Sequence, residues 1–121
     1  MTKILYVEDD LSSQRLVQRP LTAEGFQVVV AADGITAIES ARREHPDIVL
    51  MDINIGGLDG YEVTTRLRMI DGLEEVPIIA VTAATLRGDR ERAIVAGCSG
   101  YIAKPIDVDR FPGQSRAYMV G

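Results

Sequence analysis

Cysteine is nearly missing from this chain. Cys98 is the single one, so no internal disulfide can form, and a reducing compartment is expected. Histidine is equally scarce, with His45 alone in "REHPD", where a helix should end before the proline; it reads as a solvated loop residue. No apolar run reaches membrane-spanning length, and "MTKILYVEDD" lacks the apolar core and cleavage site of a signal peptide. A cytoplasmic chain with no membrane partner is therefore expected. Basic charge is also in deficit: 13 Lys and Arg stand against 18 Asp and Glu, for a net charge of -5. Such a chain has no overall electrostatic footprint for phosphate backbones, and nucleic acid is not expected as a direct partner.

What is present suffices for one folded domain. At 121 residues the chain matches the usual domain size, and such a domain buries roughly two thirds of its unfolded surface. Short apolar runs alternate with segments of helical period as far as residue 109, without a linker. "KILYV" (3–7), "QVVVAA" (27–32), "DIVLM" (47–51), "PIIAVTA" (77–83) and "GYIAK" (100–104) predict five strands. Ile35, Ile38 and Ala41 share one face at helical spacing, as do Val63, Leu67 and Ile70. Asp59 followed by Glu62 resembles an acidic capping box and marks a helix start. Strand connections of this length are right-handed helical crossovers. The expected class is α/β, a doubly wound parallel sheet with helices on both faces.

In such sheets the working crevice lies beyond the carboxyl ends of the strands. Here the first strand runs into Glu8-Asp9-Asp10, the third into Asp52, the fourth into Thr82 and the fifth into Lys104-Pro105. Taken singly, each has a plain structural use. Glu8 and Asp9 fit helix capping, as Asp10 does; Thr82 suits a strand, Lys104 a solvated charge, and Tyr101 an edge strand where it packs. Cys98 reads as a small packing residue. Their convergence on one edge carries the functional signal. Three carboxylates brought together repel one another unless a cation sits among them. Oxygen-only ligands without a nearby His or Cys favour a hard divalent cation, and Mg2+ suits a few carboxylates plus waters. Lys104 and Thr82 opposite these acids form a cradle for an anionic phosphoryl group, with Asp52 as its acceptor.

The motifs "YVEDD", "LMDINIGGLDGYE", "IIAVTA" and "GYIAKPI" resemble, in order and spacing, those of response-regulator receiver domains of two-component signalling, over residues 3–109. The resemblance implies a flavodoxin-like five-stranded sheet of order 2-1-3-4-5. It implies Asp52 as phosphoacceptor, Mg2+ held by Asp9 and Asp52, Glu8 acting through water, and the Asn54 backbone carbonyl as a further ligand. Thr82, Lys104 and the Ala83 amide would hold the phosphoryl oxygens. Tyr101 stands at the switch aromatic, and a cis peptide is implied between Lys104 and Pro105. A histidine kinase or histidine phosphotransfer protein is the implied donor, because His45 has no helical-bundle context and the phosphate must arrive in trans. A downstream protein target would read the switch.

The expected role is phosphorelay signalling and not catalysis on an external substrate; at most the chain would promote phosphorylation and dephosphorylation of its own Asp52. A receiver excised from a hybrid histidine kinase or larger regulator would look the same. An aspartate-nucleophile phosphohydrolase fits less well, because Asn54 stands where that class has a second acid. A flavodoxin-like cofactor binder would need a phosphate-cradling loop where this chain has consecutive acids. Two departures from the family pattern remain. Gly56-Gly57 replaces the usual proline, which predicts mobility over residues 55–59 without metal and ordering when Mg2+ and a phosphoryl analogue bind. Pro112-Gly113 interrupts the last helix, which predicts a receiver over 1–109, an atypical tail over 110–121, and a fifth helix short or missing. Partly uncovered apolar surface there would leave a monomer or weak homodimer.

Overall fold

Branched and aromatic side chains dominate the strand runs, and they suit a pleated surface buried on both faces. The computed structural model describes residues 2–53, 59–82, 89–103, 106, 107, 109–111 and 113, with the backbone alone at 89 and 90. Five strands form one sheet: β1 (Lys3–Val7), β2 (Gln27–Ala31), β3 (Ile48–Asp52), β4 (Ile78–Thr82) and β5 (Gly100–Ala103). Their order is β2-β1-β3-β4-β5, and every neighbouring pair is parallel. Among the described residues there are four helices: α1 (Leu11–Ala23), α2 (Gly34–Glu44), α3 (Gly60–Arg68) and α4 (Asp89–Ala96). The doubly wound, flavodoxin-like arrangement is thus as expected. Phe111 and Gly113 are helical, whereas residues 112 and 114–121, on which the extent of a fifth helix depends, lie outside the described residues.

Strand alternation sorts the core into two layers. Leu5, Val7, Val49, Met51, Ile78 and Ala80 point to one face, where Ala37 and Ala41 of α2, Val63 and Leu67 of α3, and Ala93 of α4 cover them. Ile4, Tyr6, Ile48, Leu50, Ile79 and Val81 point to the other, covered by Val17 and Leu21 of α1 together with Phe26 and Phe111.

One member of an expected stripe is corrected. On α2, Ala41 is buried and Ile38 packs at the margin as expected, but Ile35 is 64% exposed, and Gly34, Ala37 and Ser40 are buried besides. Small residues let the helix lie close to the sheet, and that packing outweighs the larger side chain one turn earlier. On α3 the expected Val63 and Leu67 are buried and Ile70 packs beside them.

Local signals work largely as read. Asp10 caps α1 by accepting from the Ser13 amide and hydroxyl, each at 2.8 Å. Asp33 caps α2 through the Thr36 amide at 2.7 Å, and Asp59 caps α3 through the Tyr61 amide at 2.8 Å. Glu62 pairs with Arg66 one turn on, at 3.0 Å. The exposed His45 closes α2 in the left-handed conformation, at φ 47°, just before Pro46.

Candidate functional site

The sheet register builds the site. Tyr6 pairs with Leu50 and Val7 with Met51, so the next step along both strands sets Glu8 level with Asp52. The Glu8 amide continues the β1–β2 ladder by donating to the Ala31 carbonyl at 3.0 Å, and the Ile53 amide continues β3–β4 by donating to the Val81 carbonyl at 3.0 Å. Both acids are therefore held by backbone on either side. Thr82 ends β4 one residue beyond the partner of Asp52 and pairs with Ala103 of β5. Register alone brings all of these to the carboxyl edge.

Two of the acids are not surface groups. Glu8 is 1% exposed and Asp52 2%, with Thr82 also buried, whereas Asp9 faces solvent. One carboxylate oxygen from each of Glu8, Asp9 and Asp52 lies within 4.8 Å of the others. Buried charges need compensation. A hard divalent cation fits this donor set, because all three groups offer carboxylate oxygen and none offers nitrogen or sulfur. Of the remaining expected site residues, Tyr101 lies half-buried in β5, opposite Ala80 and packed on the α2–α4 face of the core. Asn54, Ala83, Lys104 and Pro105 lie outside the described residues, as does the loop over 55–58.

Three residues around the site escaped the reading of the sequence. Tyr6 is buried on the same strand face as Glu8 and donates its hydroxyl to Glu8 Oε1 at 3.3 Å. Burial drives its phenol far above the ordinary value, and the Glu8 charge adds to this, so the hydroxyl remains a donor. Gln14 of α1 donates from Nε2 to the Glu8 carbonyl at 2.6 Å. Gly60 begins α3 so close to the end of β3 that a Cβ there would lie 2.7 Å from Ile53 Cα and 2.9 Å from the Asp52 carbonyl oxygen. Period-2 alternation could have exposed Tyr6, a polar aromatic two places before an acid. Gly60 left no comparable signal.

Comparison with known proteins agrees with this geometry. The response regulator receiver domain family matches residues 4–114. The polar-differentiation response regulator DivK of Brucella ovis is 39% identical over 120 residues, covering 98% of each chain. Among solved structures, the receiver domain of the sensor histidine kinase PA1611 from Pseudomonas aeruginosa, which has a magnesium ion coordinated in its active-site cleft, is 38% identical with a TM-score of 0.90. That match covers 99% of this chain and 98% of the other. The Vibrio cholerae chemotaxis protein CheY4 is 26% identical with a TM-score of 0.93, covering 98% of each chain. With the strand order, the buried acids at one sheet edge and a family match over almost the whole length, this chain belongs to the response regulator receiver domain family.

Proposed function

We propose that this receiver takes a phosphoryl group from a phosphohistidine in another protein onto Asp52, and that the acyl phosphate changes which partner the domain binds. The observation that carries the proposal is the meeting of carboxylate oxygens from Glu8, Asp9 and Asp52 within 4.8 Å at the carboxyl edge of a receiver sheet. Asp9 and Asp52 would hold Mg2+ directly, with Glu8 acting through water and the Asn54 carbonyl as a further ligand. When bound, the cation offsets the negative charge that spreads over the phosphoryl oxygens during transfer.

The chain's own groups do the rest. An Asp52 carboxylate oxygen forms the new bond to phosphorus as the phosphorus–nitrogen bond to the donor histidine breaks; with a proton on the other ring nitrogen of the phosphohistidine, the electron pair returns to the ring and the histidine departs as neutral imidazole. Thr82, Lys104 and the Ala83 amide would hold the transferred oxygens. Thr82 drawn toward the phosphoryl group would leave room for Tyr101, shifting a two-state equilibrium at the α4–β5 face. A cis peptide at Pro105 would accompany that site. The donor would be a histidine kinase or phosphotransfer protein, the output a downstream protein, and the setting cytoplasmic. The domain would span 1–109, with 110–121 as a tail, and would act as a monomer or weak homodimer. Catalysis would be limited to its own Asp52. The 38% identity to a sensor-kinase receiver favours a second reading, a receiver forming one part of a larger kinase, in which Asp52 keeps the same role.

The test is incubation with a small phosphodonor, with and without Mg2+, on the native chain and on Asp52→Asn. Phosphate uptake should depend on Mg2+ and vanish in the variant, whose amide cannot attack phosphorus. Uptake at the native level by a folded Asp52→Asn protein would overturn the proposal.

A further inference from the structure

Tyr6 sits in β1 among the aliphatic residues Ile4, Leu5 and Val7. An aliphatic side chain would fill that position without a hydroxyl to satisfy, and burying a hydroxyl without a partner is costly. The ring packs on the α1 side of the core with Ile4, Leu50 and Val81. Its hydroxyl reaches Glu8 Oε1 at 3.3 Å, while Glu8 Oε2 accepts from the Asp10 amide, also at 3.3 Å. The Glu8 carbonyl accepts from Gln14, and its amide donates to Ala31. Backbone and both carboxylate oxygens are thus each tied. The Tyr6 bond comes from a side chain inside the core.

We infer that Tyr6 is a positioning residue for the divalent cation: its hydroxyl sets the plane of the Glu8 carboxylate, and through it the water that Glu8 presents to the metal. The inference rests on the role proposed for Glu8 above. Mg2+ demands near-ideal octahedral geometry, so an acid that acts through water must point that water correctly. Loss of a partner that orients a metal-site group typically costs about 10–100-fold in metal affinity. The 3.3 Å separation exceeds a relaxed O–H···O bond. A bond of this length leaves the charge of Glu8 available to a cation.

Tyr6→Phe keeps the ring and removes only the donor. Calorimetric Mg2+ titration should show affinity about ten-fold weaker, at the low end of effects for such partners. Denaturant unfolding of the same variant should remain a single cooperative transition. In a Glu8→Gln background the Tyr6→Phe change should have almost no further effect on Mg2+ affinity, because the group it orients is already lost. Asp9→Ala serves as the reference, since it removes a proposed direct ligand. If Asp9→Ala weakens binding and Tyr6→Phe leaves it unchanged or tighter, the role of Tyr6 is overturned while the site stands. Equal weakening by Tyr6→Phe with and without Glu8 would show that the ring acts through packing, and would also overturn it. If Asp9→Ala has no effect either, the metal site itself falls, and this inference with it.

Discussion

At the scale of single residues, burial decides which polar groups the sequence announces and which it hides. Cys98 was expected to be a small packing residue, and it is buried, with its sulfur 3.9 Å from the Thr64 hydroxyl. Burial pushes its thiol above the ordinary 9.0, with Thr64 and Arg68 acting in the opposite direction. Because the folded value is the higher, Cys98 leaves stability unchanged below the unfolded value. As pH rises past about 9 the unfolded chain ionises first, and stability falls. Alkylation of Cys98 should accordingly be slow in the native protein at neutral pH and rapid in denaturant, and Cys98→Ala should flatten the alkaline loss of stability. Fast native alkylation at neutral pH would contradict this. Asp10 and Asp59 were legible because capping is local, set by a residue and its next few neighbours. Tyr6 was missed because its role depends on the burial of Glu8, which packing of the whole sheet decides, although alternation alone places the two on one strand face.

At the scale of elements, the strands were legible from their apolar runs, and their ends from the acid or hydroxyl that follows. Helix faces were less so. Ile35 looked like core by period, but α2 approaches the sheet through Gly34, Ala37 and Ala41, and size reverses the expectation. Contacts between elements distant in sequence leave weaker traces still. Arg68 at the end of α3 is partly buried, and its guanidinium donates to the carbonyls of Gly97, Leu73 and Val76 and to the Ser99 hydroxyl. It thereby ties α3 to the turns on both sides of β4 and α4. Gly97, at φ 107°, leaves it room, since a Cβ there would meet Arg68 Cγ at 3.2 Å. Gly60 makes the sharper case. A Cβ would press on backbone atoms of Asp52 and Ile53, which cannot rotate away. Gly60→Ala should therefore cost about 1–3 kcal/mol of stability, the usual range for overpacking, seen as a lower denaturation midpoint. It should also slow phosphorylation by displacing the peptide that follows Asp52. Native stability in that variant would show that α3 does not need the close approach.

At the scale of the whole molecule, the topology brings Glu8, Asp52 and Thr82, far apart in the sequence, to one edge. No helix among the described residues is long and apolar enough to cross a membrane. The exposed apolar side chains Ile94 and Val95, the latter 88% exposed, lie on α4, beside the strand that carries Tyr101. What the sequence could not specify was register, because pairing one residue out of step would separate Glu8 from Asp52 while keeping every strand run intact. The assignment of Asp52 as acceptor is tested most directly by phosphorylating the native chain with a small phosphodonor and Mg2+, trapping the acyl phosphate by borohydride reduction, and mapping the modified peptide. A single reduced residue at Asp52 is the expected result, and modification at Asp9, Asp10 or any other carboxylate with Asp52 untouched would contradict it.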